Sequence, residues 1–336
     1  MQPGMTERLD AFMARSNAAY YATHDPFADF TTSPEISQVF GEILGLWAAV
    51  TWQILGAPTP VMLVEAGPGR GTLMADALRA VAQAMPAFRV ALNVHFIETS
   101  PRLRAEQAAR VPDAVWHDGL SSVPDGPMIL LANEFLDALP IRQFVRRADG
   151  WMERYVGENG FEEKPTDLPP CHASECRHDG VEEGTILEIC RPAVTLVQAL
   201  AARFARHRGA AVFLDYGPEH SFYGDSLQAL ANGKPADPLS PPGTADLTAH
   251  VDFAALAAAA RQAGASVHGP VAQGLFLAEL GLFQRTNRLA RSLPPARAAA
   301  AMDAARRLGE PDRMGRLFKA LAIGGAGCPA LPGFGA

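Results

Sequence analysis

The chain has 336 residues, 48% of them hydrophobic, and its 36 acidic residues outnumber its 29 basic ones to give a net charge of −7. This length supports a sizeable buried core, and it favours one enlarged domain, or a core with an insert, over two equal domains. The acidic balance argues against a nucleic-acid binder, and four scattered cysteines argue against a disulfide scaffold and for a reducing compartment.

The N-terminal part of the chain, residues 1–58, is predicted to form a helical lid. It shows no apolar run of the signal-peptide type. The uncharged stretch 43–64 is long enough for a membrane span, but the glycine and two prolines of Gly56–Pro60 interrupt it. We therefore expect a buried helix, a loop and a buried strand here, and no insertion into a membrane.

Three short apolar runs predict buried strands of a parallel sheet: Val61–Val64, Val94–Ile97 and Met128–Ala132. Between the first two lies Thr72–Met85, which is apolar at helical spacing, so strands and helices alternate. This alternation predicts an α/β fold with a doubly wound sheet, in which ligands bind beyond the carboxyl ends of the strands. Polar residues follow each run, so we expect the binding site at that edge.

An insert is predicted to interrupt the sheet at 141–184. It begins with a hairpin signal around Ala148–Gly150 and continues as a polar stretch that we expect to be irregular. The other predicted helices and strands are Ala193–His207, Ala211–Leu214, Phe253–Ala263 and Leu317–Ile323. The core then takes residues 59–140 and 185–325, and the small residues and prolines of 326–336 predict a flexible tail.

A glycine-rich loop follows the first predicted strand, with the sequence Glu65-Ala66-Gly67-Pro68-Gly69-Arg70-Gly71-Thr72. Glycines let the backbone turn sharply and approach a ligand closely. Dinucleotide-binding loops have a further glycine where Thr72 stands, and Glu65 suits a cofactor with ammonium and sulfonium groups better than a pyrophosphate. The loop predicts S-adenosyl-L-methionine as cofactor, with an ordinary tight turn as the alternative. The predicted contacts are Glu65, Gly67, Pro68, Gly69, Gly71 and Thr72.

Further polar residues at strand ends are predicted to complete the cofactor site. Glu98 follows the second strand and is placed to accept the ribose hydroxyls of an adenosine, although dinucleotide enzymes place an acid similarly. Asp118, before Gly119, is a possible acceptor for the adenine amino group, and an ordinary turn aspartate explains it almost as well. Asn133, after the third strand, is assigned to the amino-acid end of the cofactor.

With these residues in view, the chain resembles the MidA-type methyltransferases, the mitochondrial complex I assembly factors and their bacterial relatives. The matching strings are Asp25-Pro26-Phe27, Thr32-Ser33-Pro34-Glu35-Ile36-Ser37, the glycine loop, Asn133-Glu134-Phe135-Leu136-Asp137-Ala138-Leu139-Pro140, Asp215-Tyr216-Gly217 and Ala245-Asp246-Leu247-Thr248-Ala249-His250-Val251-Asp252-Phe253. The resemblance implies a class I methyltransferase with a Rossmann-like sheet. It also implies methyl transfer to a protein arginine, with the 49 kDa-type subunit of respiratory complex I as the family's substrate.

Four residues are predicted to act on the substrate. A guanidinium stays protonated in proteins, so its methylation needs alignment, and carboxylates fix its plane by paired hydrogen bonds. Glu134 and Asp137, three apart after a core strand, are placed for that task. Asp215 and Tyr216, at the end of another strand, are predicted to line the substrate pocket. The structural alternative for Glu134 and Asp137 is a pair of acids at a helix start.

Other polar groups fit structural roles at least as well as chemical ones. Thr32 and Glu35 have the spacing of a helix capping box, and Asp252 is placed to cap the alanine-rich helix that follows it. A zinc site is conceivable in the polar insert, but its spacing is irregular and the family uses no such set, so we expect no metal. The residues concerned are Cys171, His172, Cys176 and His178.

Three functions remain open at this point. The first is methylation of an arginine in a protein, the second is methylation of a small molecule, and the third is an assembly chaperone that uses the cofactor structurally. The intact Glu65, Glu98 and Glu134 favour catalysis, and the loop spacing disfavours a nicotinamide dehydrogenase. The expected partner is a protein and not a nucleic acid. The expected compartment is the cytoplasm, or the mitochondrial matrix for a processed eukaryotic form.

Overall fold

The computed structural model describes residues 6–24, 31–166 and 180–335. The strands are β1 (Glu7–Arg8), β2 (Val61–Ala66), β3 (Leu92–Ile97), β4 (Val115–His117), β5 (Met128–Asn133), β6 (Arg142–Arg147), β7 (Gly150–Gly157), β8 (Gly160–Pro165), β9 (Ile186–Ile189), β10 (Gly209–Tyr216), β11 (Gln228–Ala231), β12 (Lys234–Ala236), β13 (Asp246–Thr248), β14 (Ser266–Ala272) and β15 (Phe318–Gly324).

The helices alternate with these strands. They are α1 (Leu9–Thr23), α2 (Ser33–Ile36), α3 (Gln38–Ile54), α4 (Thr72–Ala84), α5 (Pro86–Ala91), α6 (Pro101–Arg110), α7 (Arg191–Phe204), α8 (Phe253–Gln262), α9 (Gln273–Glu279), α10 (Leu282–Ala290), α11 (Pro295–Gly309) and α12 (Met314–Leu317), with a short 3-10 helix at Leu120–Ser122.

A seven-stranded sheet in the order β14-β15-β10-β5-β2-β3-β4 forms the centre. From β10 to β4 the neighbours are parallel, whereas β15 runs antiparallel to both β10 and β14. Ala66 pairs with Ile97 on one side and with Ala132 on the other, and Asn133 lies opposite Leu214. The doubly wound sheet is confirmed, and this register brings the predicted acids to one edge.

Helices cover both faces of this sheet. Along β2, Leu63 packs among the apolar residues of α3 and α4, and Val64 packs on the other face against α7 and α8. The run that resembled a membrane span forms most of α3, a loop and the first part of β2, as predicted. None of the helices in the described ranges has the length and hydropathy needed to cross a bilayer.

The predicted lid is smaller than 1–58. The apolar side chains of α3, including Phe40 and Trp47, are buried in the core against the sheet. A helix that is apolar on most of its faces has to be covered by protein, so α3 belongs to the core layer. Of the predicted lid, α1 and α2 are the helices that lie outside this core layer. Two hydrogen bonds tie α1 to β13, because the Asn17 amide donates to the Leu247 carbonyl (2.8 Å) and accepts from the Leu247 N–H (3.0 Å).

The insert forms a sheet of its own. The predicted hairpin is present as β6 and β7, but the stretch after it is not irregular, since β8 pairs with β7. β9 and β1 extend this sheet along β6 and β7. The charged sequence of β8 hid the strand, which pairs with β7 and is also joined to β6 by the Arg147–Glu163 ion pair. The residues considered for zinc, at 171–178, lie outside the described residues.

The C-terminal tail is packed, and its predicted flexibility is wrong for the residues up to 335. Leu331 is 2% exposed within the core, and the Trp47 indole donates a hydrogen bond to the Pro332 carbonyl (3.1 Å). A single leucine among small residues and prolines carries no periodic signal, so its burial could not be read from the sequence. The helix-capping role of Asp252 is confirmed, since its carboxylate accepts the Ala255 N–H at 2.8 Å.

Candidate cofactor and active site

A cavity of about 700 Å³ lies at the carboxyl edge of the parallel strands. Its walls come from α1, from α2 with the preceding Thr32, and from the loops that follow β2, β3, β4 and β5. Nine of the ten residues predicted to bind the cofactor line it: Glu65, Gly67, Pro68, Gly69, Thr72, Glu98, Asp118, Gly119 and Asn133. The tenth, Gly71, lies outside this wall. Of the four residues predicted to be catalytic, Glu134 alone is part of this wall.

The glycine loop needs its glycines for both conformation and space. Gly67, Gly69 and Gly71 have φ angles of +65°, +54° and +80°, which side chains rarely adopt. A Cβ on Gly67 would lie 2.7 Å from Cδ2 of Phe135, whose ring borders the cavity. The loop therefore presents bare backbone to the cavity, and a side chain at Gly67 would push Phe135 into the cavity.

Glu65, the penultimate residue of β2, is an acid with an unused acceptor. It is 2% exposed, its carboxylate accepts the Met74 N–H, and its Oε2 accepts no hydrogen bond from the described residues. Burial raises the pKa of Glu65 to about 8. The buried Oδ1 of Asn133 also lacks a partner in the described part of the chain. Such orphaned acceptors require an explanation, and the ammonium donor of an amino-acid ligand supplies one.

Glu98 and Asp118 follow β3 and β4. The Glu98 carboxylate accepts hydrogen bonds from the Ser100 N–H (2.8 Å) and from the Gln107 side chain (3.2 Å), and burial raises its pKa. Asp118 has an exposed side chain and pairs with Arg104 at 2.6 Å. Arg104 also donates to the Glu98 carbonyl at 2.8 Å. The Arg104 guanidinium thus connects the carboxylate of Asp118 with the backbone carbonyl of Glu98.

Gln107 is a residue that the sequence analysis missed. It is fully buried in α6, and its amide contacts two segments of the cavity wall and the neighbouring strand β4. The Nε2 atom donates to the Gly69 carbonyl (2.7 Å) and to Glu98, and Oε1 accepts from the Trp116 indole (2.8 Å). The available signal was that Gln107 lies one turn after the buried Leu103, on a helix whose other polar residues are mostly charged.

Glu134 is the predicted catalytic acid that reaches the cavity. Its Oε1 accepts from the N–H of Ser33 (2.7 Å), the hydroxyl of Ser33 (2.8 Å) and the amide of Asn133 (3.1 Å). No described residue donates to its Oε2. Its φ of +48° is left-handed, which costs a non-glycine residue about 1 kcal/mol and is often found at functional sites.

The prediction that Asp215 lines the substrate pocket is wrong. Asp215 is 0% exposed, and its Oδ2 accepts the N–H groups of Phe135 (3.1 Å), Leu136 (2.8 Å) and Asp137 (3.3 Å). The segment is a turn, so the helix-start alternative for Glu134 and Asp137 is also wrong. Asp215 shapes the turn that carries Glu134, because a neighbouring strand places its carboxylate under three backbone donors. Burial raises the pKa of Asp215 to about 7.

Asp137 and Tyr216 also lie outside the cavity wall, contrary to the predicted contact with substrate. The Tyr216 hydroxyl donates to Thr248 (2.7 Å) and accepts from Gln228 (2.8 Å), so it joins β10 to the small sheet of β11, β12 and β13. Asp137 is buried behind Glu134. Burial first, and then the charges of neighbouring acids, raise the pKa of Asp137 well above its ordinary value.

The lid is attached to the cavity by side chains of α1 and α2. The predicted capping box is wrong, because Thr32 makes no side-chain cap and Glu35 instead accepts the Thr72 hydroxyl of the glycine loop at 2.5 Å. From α1, the Tyr21 hydroxyl donates to Asp246 at 2.8 Å. Ser33 and Tyr21 were missed as site residues, since contacts over such sequence distances leave no local pattern.

Comparison with known proteins decides the family. Residues 43–271, more than half of the chain, match the Methyltransf_28 family model of S-adenosyl-L-methionine-dependent methyltransferases. The chain belongs to this MidA-like methyltransferase family. The Danio rerio protein arginine methyltransferase NDUFAF7, mitochondrial, is 34% identical over 339 residues, which cover 90% of this chain and 79% of that relative. Its Homo sapiens namesake is 32% identical over 355 residues, covering 95% and 79%.

Solved structures agree with the family. A Burkholderia thailandensis structure with bound S-adenosyl-homocysteine has a TM-score of 0.80 at 27% identity and covers 98% of this chain and 90% of that chain. A second, native structure from the same organism has a TM-score of 0.80 at 30% identity, with coverage of 99% of this chain and 91% of that chain. The methyltransferase therefore has the predicted class I fold, and S-adenosyl-L-methionine is its cofactor.

We expect the affinity for S-adenosylmethionine to depend on pH through Glu65. An acid with a pKa of about 8 is mostly neutral at pH 7, and it has to lose its proton to pair with the cofactor's ammonium group. The association constant should therefore rise by up to about tenfold per pH unit between about pH 6 and 7.5 and level off near pH 8. Calorimetric titrations at several pH values measure this.

The Glu65→Gln variant is the control for that pH dependence. It should bind the cofactor more weakly and with a flat pH profile, because the titrating group is gone. An equally steep profile in Glu65→Gln would assign the proton to another group. By the same linkage, the unliganded wild-type protein should lose stability as pH rises from about 4.5 to about 8 and change little from this group above that, because the folded-state pKa of Glu65 is raised.

Proposed function

We propose that this methyltransferase methylates an arginine side chain of a protein. The observation that carries the proposal is a cluster of three buried acids at the cavity wall, in which Asp137 and Asp215 lie behind Glu134. None of these three acids forms a salt bridge with a lysine or arginine of the described residues. A buried carboxylate without a positively charged partner lowers the stability of the fold, and the guanidinium of a substrate arginine would provide that partner.

The geometry suggests how Glu134 would act. The cofactor supplies an electrophilic methyl group on its sulfonium. Because Ser33 and Asn133 occupy Oε1, the Oε2 atom of Glu134 would accept an N–H of the guanidinium and hold its plane. This contact would leave another guanidinium nitrogen directed at the methyl group, and Oε2 is placed to take the proton that the product loses. Alignment and charge are the main requirements of such a transfer.

The relatives support the arginine substrate by name, since the proteins from Danio rerio and Homo sapiens are both called protein arginine methyltransferases. The client proposed here is a subunit of respiratory complex I, as the resemblance in sequence implies. The compartment is part of the proposal too. It is the cytoplasm, or the mitochondrial matrix, which agrees with the word mitochondrial in the relatives' names.

The proposal is tested by following a radiolabelled methyl group. The purified protein and labelled S-adenosylmethionine are added to a lysate of cells that lack the protein, and to purified complex I. Base-stable label in protein, recovered as methylarginine after hydrolysis, is the expected result. Label in the small-molecule filtrate alone would support a small-molecule methyltransferase. Cofactor binding without label in either fraction would support a chaperone. Mass spectrometry of the complex I subunits would locate the modified arginine.

A further inference from the structure

We infer that Gln107 is a positioning residue for the cofactor: it sets the carboxylate of Glu98 against the glycine loop so that Glu98 receives the ribose hydroxyls. The inference concerns the cofactor alone and does not depend on which substrate is methylated. It rests on one buried amide that bridges two segments of the cavity wall which are not adjacent in sequence.

The donor atom of Gln107 is fully used by the cofactor-binding elements. A side-chain amide has two N–H bonds. In this structure Nε2 lies 2.7 Å from the Gly69 carbonyl and 3.2 Å from Oε2 of Glu98, so its two hydrogens serve one acceptor each. The distance between the glycine loop and the Glu98 carboxylate is therefore defined by a single nitrogen atom.

The remaining contacts hold that nitrogen in place. The Oε1 atom of Gln107 accepts the Trp116 indole N–H of β4 at 2.8 Å, which fixes the rotation of the amide. A Cβ on Gly71 would lie 3.4 Å from the Gln107 Cα, so the loop also packs against the α6 backbone at this point. Gln107 is 0% exposed, and no described charged group competes with Glu98 for its donor.

The orientation of the Glu98 carboxylate depends on Gln107. Its carboxylate is buried and accepts the backbone N–H groups of Ser100, at Oε1, and of Thr99, while the Gln107 amide donates to Oε2. A carboxylate that is held at one oxygen by the backbone and at the other by Gln107 cannot rotate freely. It is thereby oriented for a pair of ribose hydroxyls before the cofactor arrives, and such preorganisation increases affinity.

The test compares two ligands, S-adenosylhomocysteine and its 2′,3′-dideoxy analogue, by calorimetry on the full chain. The wild-type protein should bind the analogue at least about tenfold more weakly, because Glu98 then has no hydroxyls to bind. In Gln107→Met, which keeps the length and volume of the side chain, binding of S-adenosylhomocysteine should weaken about tenfold. Binding of the analogue should change less than about twofold, so the affinity ratio should approach one.

An equal loss for both ligands, with the ratio preserved, would overturn the inference, because a merely structural role cannot distinguish them. Gln107→Leu also removes both donors and places no charge beside Glu98, so it should lower the ratio in the same way and decides the matter if Gln107→Met does not fold. Trp116→Phe removes the third hydrogen bond but keeps a ring and both donors of the Gln107 amide, so its ratio should fall less than in Gln107→Met. A ratio near one in Trp116→Phe would also overturn the inference.

Discussion

Replacing Glu134 with glutamine should lower the rate of methyl transfer by about a hundredfold or more and leave cofactor affinity within about twofold of wild type. In Glu134→Gln the carbonyl oxygen can still accept the hydrogen bonds from Ser33 and Asn133 that Oε1 accepts now. The new amide nitrogen then replaces Oε2, where it cannot accept an N–H from a guanidinium. The two acids predicted to bind the cofactor, Glu65 and Glu98, are unchanged.

The measurement is radiolabelled methyl incorporation beside a cofactor-binding assay on the same samples. Glu163→Gln is the matched control, since it makes the same chemical change on β8, where Glu163 pairs with Arg147 away from the cavity. It should keep wild-type activity. Full activity in Glu134→Gln would remove Glu134 from the mechanism, and a parallel loss of cofactor binding would reassign it to the cofactor site.

Replacing Gly67 with alanine should weaken S-adenosylmethionine binding by about a hundredfold, which corresponds to about 3 kcal/mol. The new methyl group would lie 2.7 Å from Cδ2 of Phe135, and the φ of +65° would add backbone strain. The ring can relieve the contact by moving into the space that the cofactor needs, so the fold should survive while the site is obstructed. Calorimetry and thermal unfolding together check both halves of this expectation.

Gly264→Ala is the matched control for the backbone strain that an alanine at a positive φ angle introduces. Gly264 has a φ of +84°, and a Cβ there would meet nothing within 4 Å. Gly264→Ala should lose about 1 kcal/mol of stability, the same loss that we expect from backbone strain in Gly67→Ala. It should bind the cofactor with wild-type affinity. Unchanged cofactor affinity in Gly67→Ala would show that the ligand does not approach this part of the loop.

Much of the cofactor site could be predicted from the sequence because its signals are local. Short, mostly apolar runs identified β2, β3 and β5 as strands covered on both faces, and the parallel arrangement then brought Glu65, Glu98 and Asn133 to one edge. The loop from Gly67 to Thr72 was recognisable because alternating glycines between a strand and a helix are rare outside sites of close backbone approach. The hairpin of β6 and β7 had an equally local turn signal.

The substrate side depended on contacts between distant segments. Asp215 looked like a pocket residue at a strand end, and only the packing of β10 beside β5 shows that its carboxylate holds the turn of Glu134 instead. Glu35 looked like a capping acid, yet the closure of α2 over the site gives it Thr72 as partner. In both cases the local and the distant donor are chemically equivalent, so burial and distance decide which hydrogen bond forms.

The sequence by itself determined the alternation of strands and helices, the edge at which ligands bind and the chemistry of the cofactor loop, because each follows from residues that are neighbours in the chain. The tertiary structure decided which acids face the cavity, how the lid is attached and where Gln107 lies. Those features are set by pairs such as Gly69 and Gln107, whose separation in the chain leaves no periodic trace and whose contact exists only once the sheet and its helices have packed.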